Sequence, residues 1–493
     1  MPYTITNSAR FNGASGYLER NGGTHTNQKR FTASVWLKPS ETQVSGSHDN
    51  CVLSHGTASD SYTNSTLNFV RTNGTLSSYL NDASSHYFVC NNHSYRDPSA
   101  WFHVVVRLDT LASNTERHRL YVNGTQIPST SASSFSEVTH NSDMPFTGNG
   151  QRIWLGKAGS GNNHYYDGYM ADFAYSEGYN YGPEAFGEVD STTGNWIPKD
   201  PTTYHAGSGI AYGNNGFLLQ FKQSGGGADT SGIGADTSGN SNHIAATSMG
   251  TNYRTQDCPS NNFCTWNPRA IGYDQTGGSY SGMVHGHGNT TAMNNSASGW
   301  ATTLGTFLIP TAGKWYWELK NIEGSDHIQV GVMECPNGDA APTTGAPADS
   351  SGLGWGWYSN NGQDRQNGSN VNTFSSWTSA NDIVMIAYDA NTGKLWLGKN
   401  GTWETLSSNV GNPGAGAYPH MTVDSNPVVP LLGTANINSG NGPWVNFGNP
   451  AFSIASGNAD ANGYGNFEYA VPTGFYSLCT KNLASYGGTA EEN

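Results

Sequence analysis

Two stretches far apart in the chain follow one plan: VVVRLDTLASNTERHRLYVNGT from Val104 and VMIAYDANTGKLWLGKNGT from Val384. Each is an apolar strand ending in Asp (Asp109, Asp389), a polar turn, a second strand (Leu120 to Val122, Leu395 to Leu397) and then Asn-Gly-Thr. Asn-Gly between extended segments is the strongest short hairpin signal, because both central residues of a type I′ turn need positive φ. A chain that repeats this device is committed to antiparallel β-structure. In WFHVVVRL, Phe102, Val104, Val106 and Leu108 alternate with Trp101, His103, Val105 and Arg107, the pattern of a half-buried strand. In GKWYWELK the set Trp315, Trp317 and Leu319 is expected to face a core and Tyr316, Glu318 and Lys320 to face outward. IVMIAY, apolar on both faces, is expected centrally in a sheet covered on both sides.

Composition agrees with many short strands. Only 12% of residues are charged and 63 are Gly, about half the usual charged share. Gly and Asn tolerate positive φ, and Ser and Thr bond locally, so turns are plentiful and helix is disfavoured. At 493 residues the chain is too long for one ordinary core, and two or three domains are expected. The formal charge of -14 repels phosphate backbones and anionic lipid, which argues against nucleic acid and membrane surfaces as partners. MPYTITNSARFNG has no basic segment followed by an apolar run, and no eighteen apolar residues occur together, so neither an export signal nor membrane insertion is expected. Six cysteines in so long a chain make no disulfide scaffold or zinc pattern; Cys258 and Cys264 are close enough to pair, and buried thiols are the expected state.

The strand sequences are also where families become recognisable. ARFNGASGYLER, FTASVWLKPS, WFHVVVRLDT, RLYVNGTQI, IWLGKAG and HYYDGYMADFAYSEG resemble, in order, the concanavalin A-like, laminin-G-like jelly rolls. GKWYWELKN, IQVGVME, GWGWYSNNG and AYDANTGKLWLGKNGTW resemble a SPRY domain. With FGEVDSTTGNWIPKD, YGNNGFLLQF, DTSGNSNH, QDCPSNNFCTWNP and GFYSLCTKNL between and after them, the whole string resembles a type of bacteriophage virion protein common among tailed phages of aquatic bacteria. The resemblance implies an all-β protein of two antiparallel β-sandwich domains, residues 1–185 and 270–482, joined by an irregular Gly/Ser/Asn-rich segment, 186–269, and followed by a tail, 483–493. It also implies a non-enzymatic tail-fibre, tail-associated or capsid-surface component that is assembled in the host cytoplasm. Its partners would be other virion proteins and a host-surface glycan. Self-association is expected from virion symmetry, a trimer first.

Residues 225–243 read GGGADTSGIGADTSGNSNH and repeat GADTSG. A phosphate loop needs Gly-Lys-Ser/Thr opening a helix, and an EF-hand loop needs alternating carboxylates closed by Glu; each copy offers one Asp and no Lys. A polar joint remains, with Asp229 and Asp236 in Asx-turns, and a weak Ca2+ site completed from elsewhere is the alternative. No other cofactor is implied.

Concanavalin-like folds also house glucanases that set Glu-x-Asp-x-x-Glu on one strand. Here the nearest match is Glu188 to Thr193, and threonine cannot protonate a leaving group. A secreted or cell-surface carbohydrate-active enzyme or binding module stays as the rival reading. Met283-Val284-His285-Gly286-His287 is an incomplete metal set and reads as a solvated loop.

Aromatic and amide-rich loops suit glycans, whose C–H faces pack on rings while hydroxyls find amides. Two clusters qualify: Tyr165 and Tyr166 in GNNHYYDG, and Trp355, Trp357 and Tyr358 through Trp377, where Asn361, Gln363, Asp364 and Arg365 of the following polar loop are the better candidates for contact. Each has a rival reading, since Tyr166 to Tyr175 reads as a core strand and GWGWY resembles a strand with internal indoles. The stretch from Asn360 to Asn372 reads as a polar loop suited to recognition.

Overall fold

A computed structural model describes residues 3–487 apart from 41–49, 58–64, 71–73, 83, 91, 114–115, 146–147, 160–163, 204–208, 272–282, 295–298, 335–347, 349–353, 425–426 and 436–441. The chain forms two compact units, Met1–Ser260 and Asn261–Asn493. Both are antiparallel β-sandwiches, and the α-helix Thr480–Tyr486 is an addition to the second.

The twin hairpins form as their sequences dictate, down to the same local chemistry. Asn123 and Gly124 have φ of 46° and 78°, and Asn400 and Gly401 have 49° and 86°, as a type I′ turn requires. The Asn123 carboxamide oxygen accepts from His103 N, and that of Asn400 from Ile383 N, each at 2.8 Å. Asp109 and Asp389 accept from the amides two residues on, Leu111 and Asn391, each at 3.1 Å.

In the first unit one sheet includes, in spatial order, His118–Val122, Phe102–Asp109, Arg30–Pro39, Asp167–Glu177 and Ser8–Asn12. The facing sheet runs Ser134–Phe135, Ser85–Val89, Thr75–Asn81, Ser65–Val70, Asn50–Thr57, Gln151–Leu155, Tyr17–Asn21 and Ala245–Thr247. Phe102, Val104, Val106 and Leu108 enter the core between them with Leu53, Leu67, Leu76 and Ile153. The alternate residues are covered too. Val105 packs with Ala185, Phe186 and Leu218, while His103 lies between Trp36 and Trp196, 4.9 and 6.1 Å from their rings. This strand is therefore buried on both faces, because chain from beyond residue 185 returns over it.

That return moves the domain boundary. Residues 186–260, expected as a linker, belong to the first unit. Phe217–Leu219 pairs with Asp167–Glu177, Ala245–Thr247 with Tyr17–Asn21, and Arg254–Thr255 with Ser8–Asn12. Phe217, Leu219, Ile233 and Ile244 sit in its core. The GADTSG repeat lies inside this structure, and its aspartates do form Asx-turns: Asp229 accepts from Ser231 N at 2.7 Å and Asp236 from Ser238 N at 2.8 Å. Asp236 also accepts from the Leu218 and Asn242 amides, which ties the repeat to the neighbouring strand.

In the second unit Trp315, Trp317 and Leu319 of Lys314–Asn321 pack with Val384, Ile386 and Leu395 against Ile328, Val330, Trp355 and Leu432 of the facing sheet. IVMIAY is buried throughout. Tyr316 and Glu318, expected to face outward, are fully buried. Tyr316 packs with Met385, Trp396, Phe467 and Phe475 in a second layer supplied by the later chain. Cys258 and Cys264 are buried thiols without a disulfide.

Candidate functional site

The two sheets of the first unit present unlike outer faces. One is covered by the returning chain. On the other, strand alternation sends Leu76 and Leu80 inward and Ser77, Tyr79 and Asn81 outward. On the neighbouring strand, Phe88 goes inward and Tyr87 outward. Tyr79 and Tyr87 are directly opposed across the ladder, their ring centroids 5.2 Å apart at 49°. Tyr87 is 42% exposed, and the Tyr79 hydroxyl lies 3.0 Å from Ser85 Oγ. Paired rings beside small polar side chains form a platform for a flat, hydroxyl-rich ligand. Neither tyrosine stood out in the sequence, although a tyrosine on the polar phase of an alternating strand is a readable signal.

At the far end of the same sheet stands Tyr17, on the outward side because Leu18 enters the core. Tyr165 is half-buried, 6.3 Å from the Tyr17 ring. Tyr166 faces the other way, fully buried, edge-on to Phe11 at 5.9 Å, with its hydroxyl donating to Tyr169 O at 3.3 Å. The expected Tyr165 and Tyr166 pair is therefore split: one ring is at the surface and the other is core. Between Tyr17 and Tyr79, Arg152 bonds Glu19 at 2.9 Å, and the buried Trp154 donates to the same carboxylate oxygen at 3.2 Å.

The second expected site is rearranged more deeply. Residues 363–373 are a hairpin at a sheet edge, Gln363–Gln366 and Ser369–Thr373, in place of a loop. Trp357 is fully buried and packs 5.8 Å from Trp377. Tyr358 is half-buried against Trp300 at 5.5 Å. Asp364 is fully buried, and its carboxylate accepts from Gln366 Nε2, Val371 N, Asn372 N and Asn372 Nδ2 at 2.5–3.1 Å. Asp364 therefore holds the hairpin together and offers nothing to a ligand. Asn361 is exposed but its oxygen accepts from Gln363 N at 3.1 Å; Gln363 and Arg365 are half-buried.

Among residues with acid–base potential, Glu188 is exposed on the small hairpin Gly187–Val189 and Trp196–Pro198, and Asp190 holds its turn through Thr192 N and Thr193 N. His285 is buried, within 3.0 Å of Thr303 Oγ1, and burial pushes its pKa down to about 3. His287 instead lies 4.5 Å from the Trp444 ring, so the two imidazoles have separate environments. Two carboxyls passed over in the sequence are raised to about 7, chiefly by desolvation: Asp172, bonded by Tyr3 at 2.8 Å, and Glu318. Among the described residues no group of three or more His, Cys, Asp or Glu side chains is placed to hold a metal ion.

Residues 12–178 match a laminin-G family model described as the concanavalin A-like lectin/glucanases superfamily. No curated protein matches the chain. Similar solved structures include the SPRY domain of human HERC1, 21% identical over 36% of this chain and 94% of that one, with a TM-score of 0.24. A putative carbohydrate binding protein from Bacteroides ovatus is 13% identical over 50% of this chain and 58% of that one, with a TM-score of 0.32. Domains LG4-5 of the mouse laminin alpha1 chain are 10% identical over 90% of this chain and 88% of that one, with a TM-score of 0.29.

Proposed function

We propose that the protein is a non-enzymatic glycan-binding protein whose first unit receives the saccharide on the outer face of its second sheet. The observation that carries this reading is the Tyr79–Tyr87 pair, a half-buried and an exposed ring with centroids 5.2 Å apart, beside the small polar side chains of Ser77 and Ser85. Apolar C–H faces of a sugar stack on such rings, and each contact of this kind is weak enough that function relies on repeated copies. A trimer supplies that repetition. The absence of catalysis is supported by Glu188, which is exposed on a small surface hairpin, while Asp190 is committed to its turn. The setting we infer is the surface of a phage particle, assembled in the host cytoplasm, with host-surface glycan and other virion proteins as partners; the sequence resemblance supports it.

Affinity gel electrophoresis of the full chain against soluble polysaccharides tests the reading. Retardation is expected, and Tyr79→Ala with Tyr87→Ala should weaken it about tenfold, the loss of two ring contacts, with the melting temperature nearly unchanged because both rings lie outside the core. A double variant that binds as tightly as the parent would remove this face from the account.

A further inference from the structure

Among the described residues of this face, Lys157 is a buried cation with no ion pair. It follows the strand Gln151–Leu155 and forms a backbone bridge with Tyr165. Its carbonyl accepts from Ser54 Oγ at 2.8 Å, and that hydroxyl in turn accepts from Gly159 N at 3.1 Å, so Ser54 pins the turn on both sides of Ala158. The side chain is 8% exposed. Its ammonium lies 4.5 Å from the Tyr17 ring centroid and 5.4 Å from that of Tyr165, whose planes are inclined at 44°.

Lysines are almost never this buried without a counter-ion. Lys38, the other buried lysine among the described residues, follows that rule and meets Asp257 at 2.9 Å. Among the described residues Lys157 has no carboxylate, and no acceptor bonds its nitrogen. The nearest outward acid in the register, Glu19, is already engaged by Arg152. Two tyrosine faces recover part of the lost hydration through cation–π attraction, but a ring face accepts no conventional hydrogen bond from the three N–H donors. The result is a positive point between two rings on a sheet whose other ring pair, Tyr79 and Tyr87, stands four and five strands from that of Tyr17, roughly 20 Å away.

We propose that Lys157, Tyr17 and Tyr165 form the acid-recognising end of the glycan face, taking a carboxylate-bearing sugar residue of the uronic acid class. The carboxylate accepts from the Lys157 ammonium in a charge-assisted bond, and the pyranose ring packs against the tyrosines. The inference rests on the glycan-binding reading and gives it a substrate class. The overall charge of -14 opposes acidic polymers only at long range, and physiological salt screens that term beyond about 8 Å; the contact at Lys157 is shorter.

The test is titration of the full chain with polygalacturonate, dextran sulfate and neutral dextran, repeated with Lys157→Met, which keeps the stem, and Lys157→Arg. The parent is expected to bind polygalacturonate about tenfold or more tighter than neutral dextran, the worth of one charge-assisted bond. Lys157→Met should erase that preference while keeping neutral binding, and Lys157→Arg should retain it. Equal binding of polygalacturonate by the parent and Lys157→Met overturns the proposal. So does a parent with no preference for the acidic polymer, a result that needs no variant to fold. A parent that prefers dextran sulfate overturns the carboxylate assignment. A chain that retains none of the three polymers sinks the glycan-binding reading itself.

Discussion

Glu318 shows how far one residue can depart from what its own strand announces. Alternation in KWYWELK assigns it to solvent, yet it is fully buried. Its carboxylate accepts from Tyr316 Oη, Glu468 N, Tyr469 N and Asn446 Nδ2 at 2.8–3.2 Å. These donors favour the ionised form, but desolvation outweighs them and pushes the pKa up to about 7. Between the ordinary carboxyl value of about 4.3 and about 7, the folded state holds a proton that the unfolded chain releases. The stabilisation is therefore complete at or below the lower value and is lost as pH rises through the upper one. Glu318→Gln should remove this slope, about 1.4 kcal/mol per pH unit, from the second unit. Denaturant midpoints of both proteins across that window check it, and parallel curves would show that Glu318 does not titrate there.

At the scale of elements, legibility followed the range of the interactions. The two Asn-Gly hairpins were readable because type I′ geometry is decided by two adjacent residues, and both adopt the positive φ they announce. The inward sets of 102–108 and 315–319 were readable from alternation alone. What covers the opposite faces was not, since the covering residues, Phe186 and Leu218 in one unit and Phe467 and Phe475 in the other, are distant in sequence and lie in strands of three residues or fewer or in irregular chain. Polarity misled the reading of residues 360–372, because Asp364 and its amide donors look like a solvated loop when they are in fact an internal clasp. Asp364→Ala leaves the Val371 and Asn372 amides without their acceptor and should cost about 1–3 kcal/mol. Calorimetry should register this as a lower melting temperature of the second unit; an unchanged transition would mean the edge hairpin contributes nothing to that unit's stability.

The same physics sets the partition of the whole molecule. Each unit closes its sandwich with chain that follows its last long strand, so a boundary drawn where periodicity fades, near residue 185, falls too early, and the contacts divide at Ser260 and Asn261. Of the candidate site residues read from the sequence, Tyr165 is half-buried beside Tyr17 on the face proposed to bind, whereas Tyr166, Trp357 and Asp364 are fully buried. The platform pair Tyr79 and Tyr87 was missed because two tyrosines on separate strands become neighbours only through the register. The central claim is that saccharide binds the outer face of the first unit's second sheet. Hydrogen–deuterium exchange of the full chain, with and without saturating oligogalacturonate, tests it most directly. The account predicts slowed exchange in residues 75–89 and around Tyr17 and Tyr165, with the second unit unaffected; protection confined to the hairpin at 363–373 would contradict it.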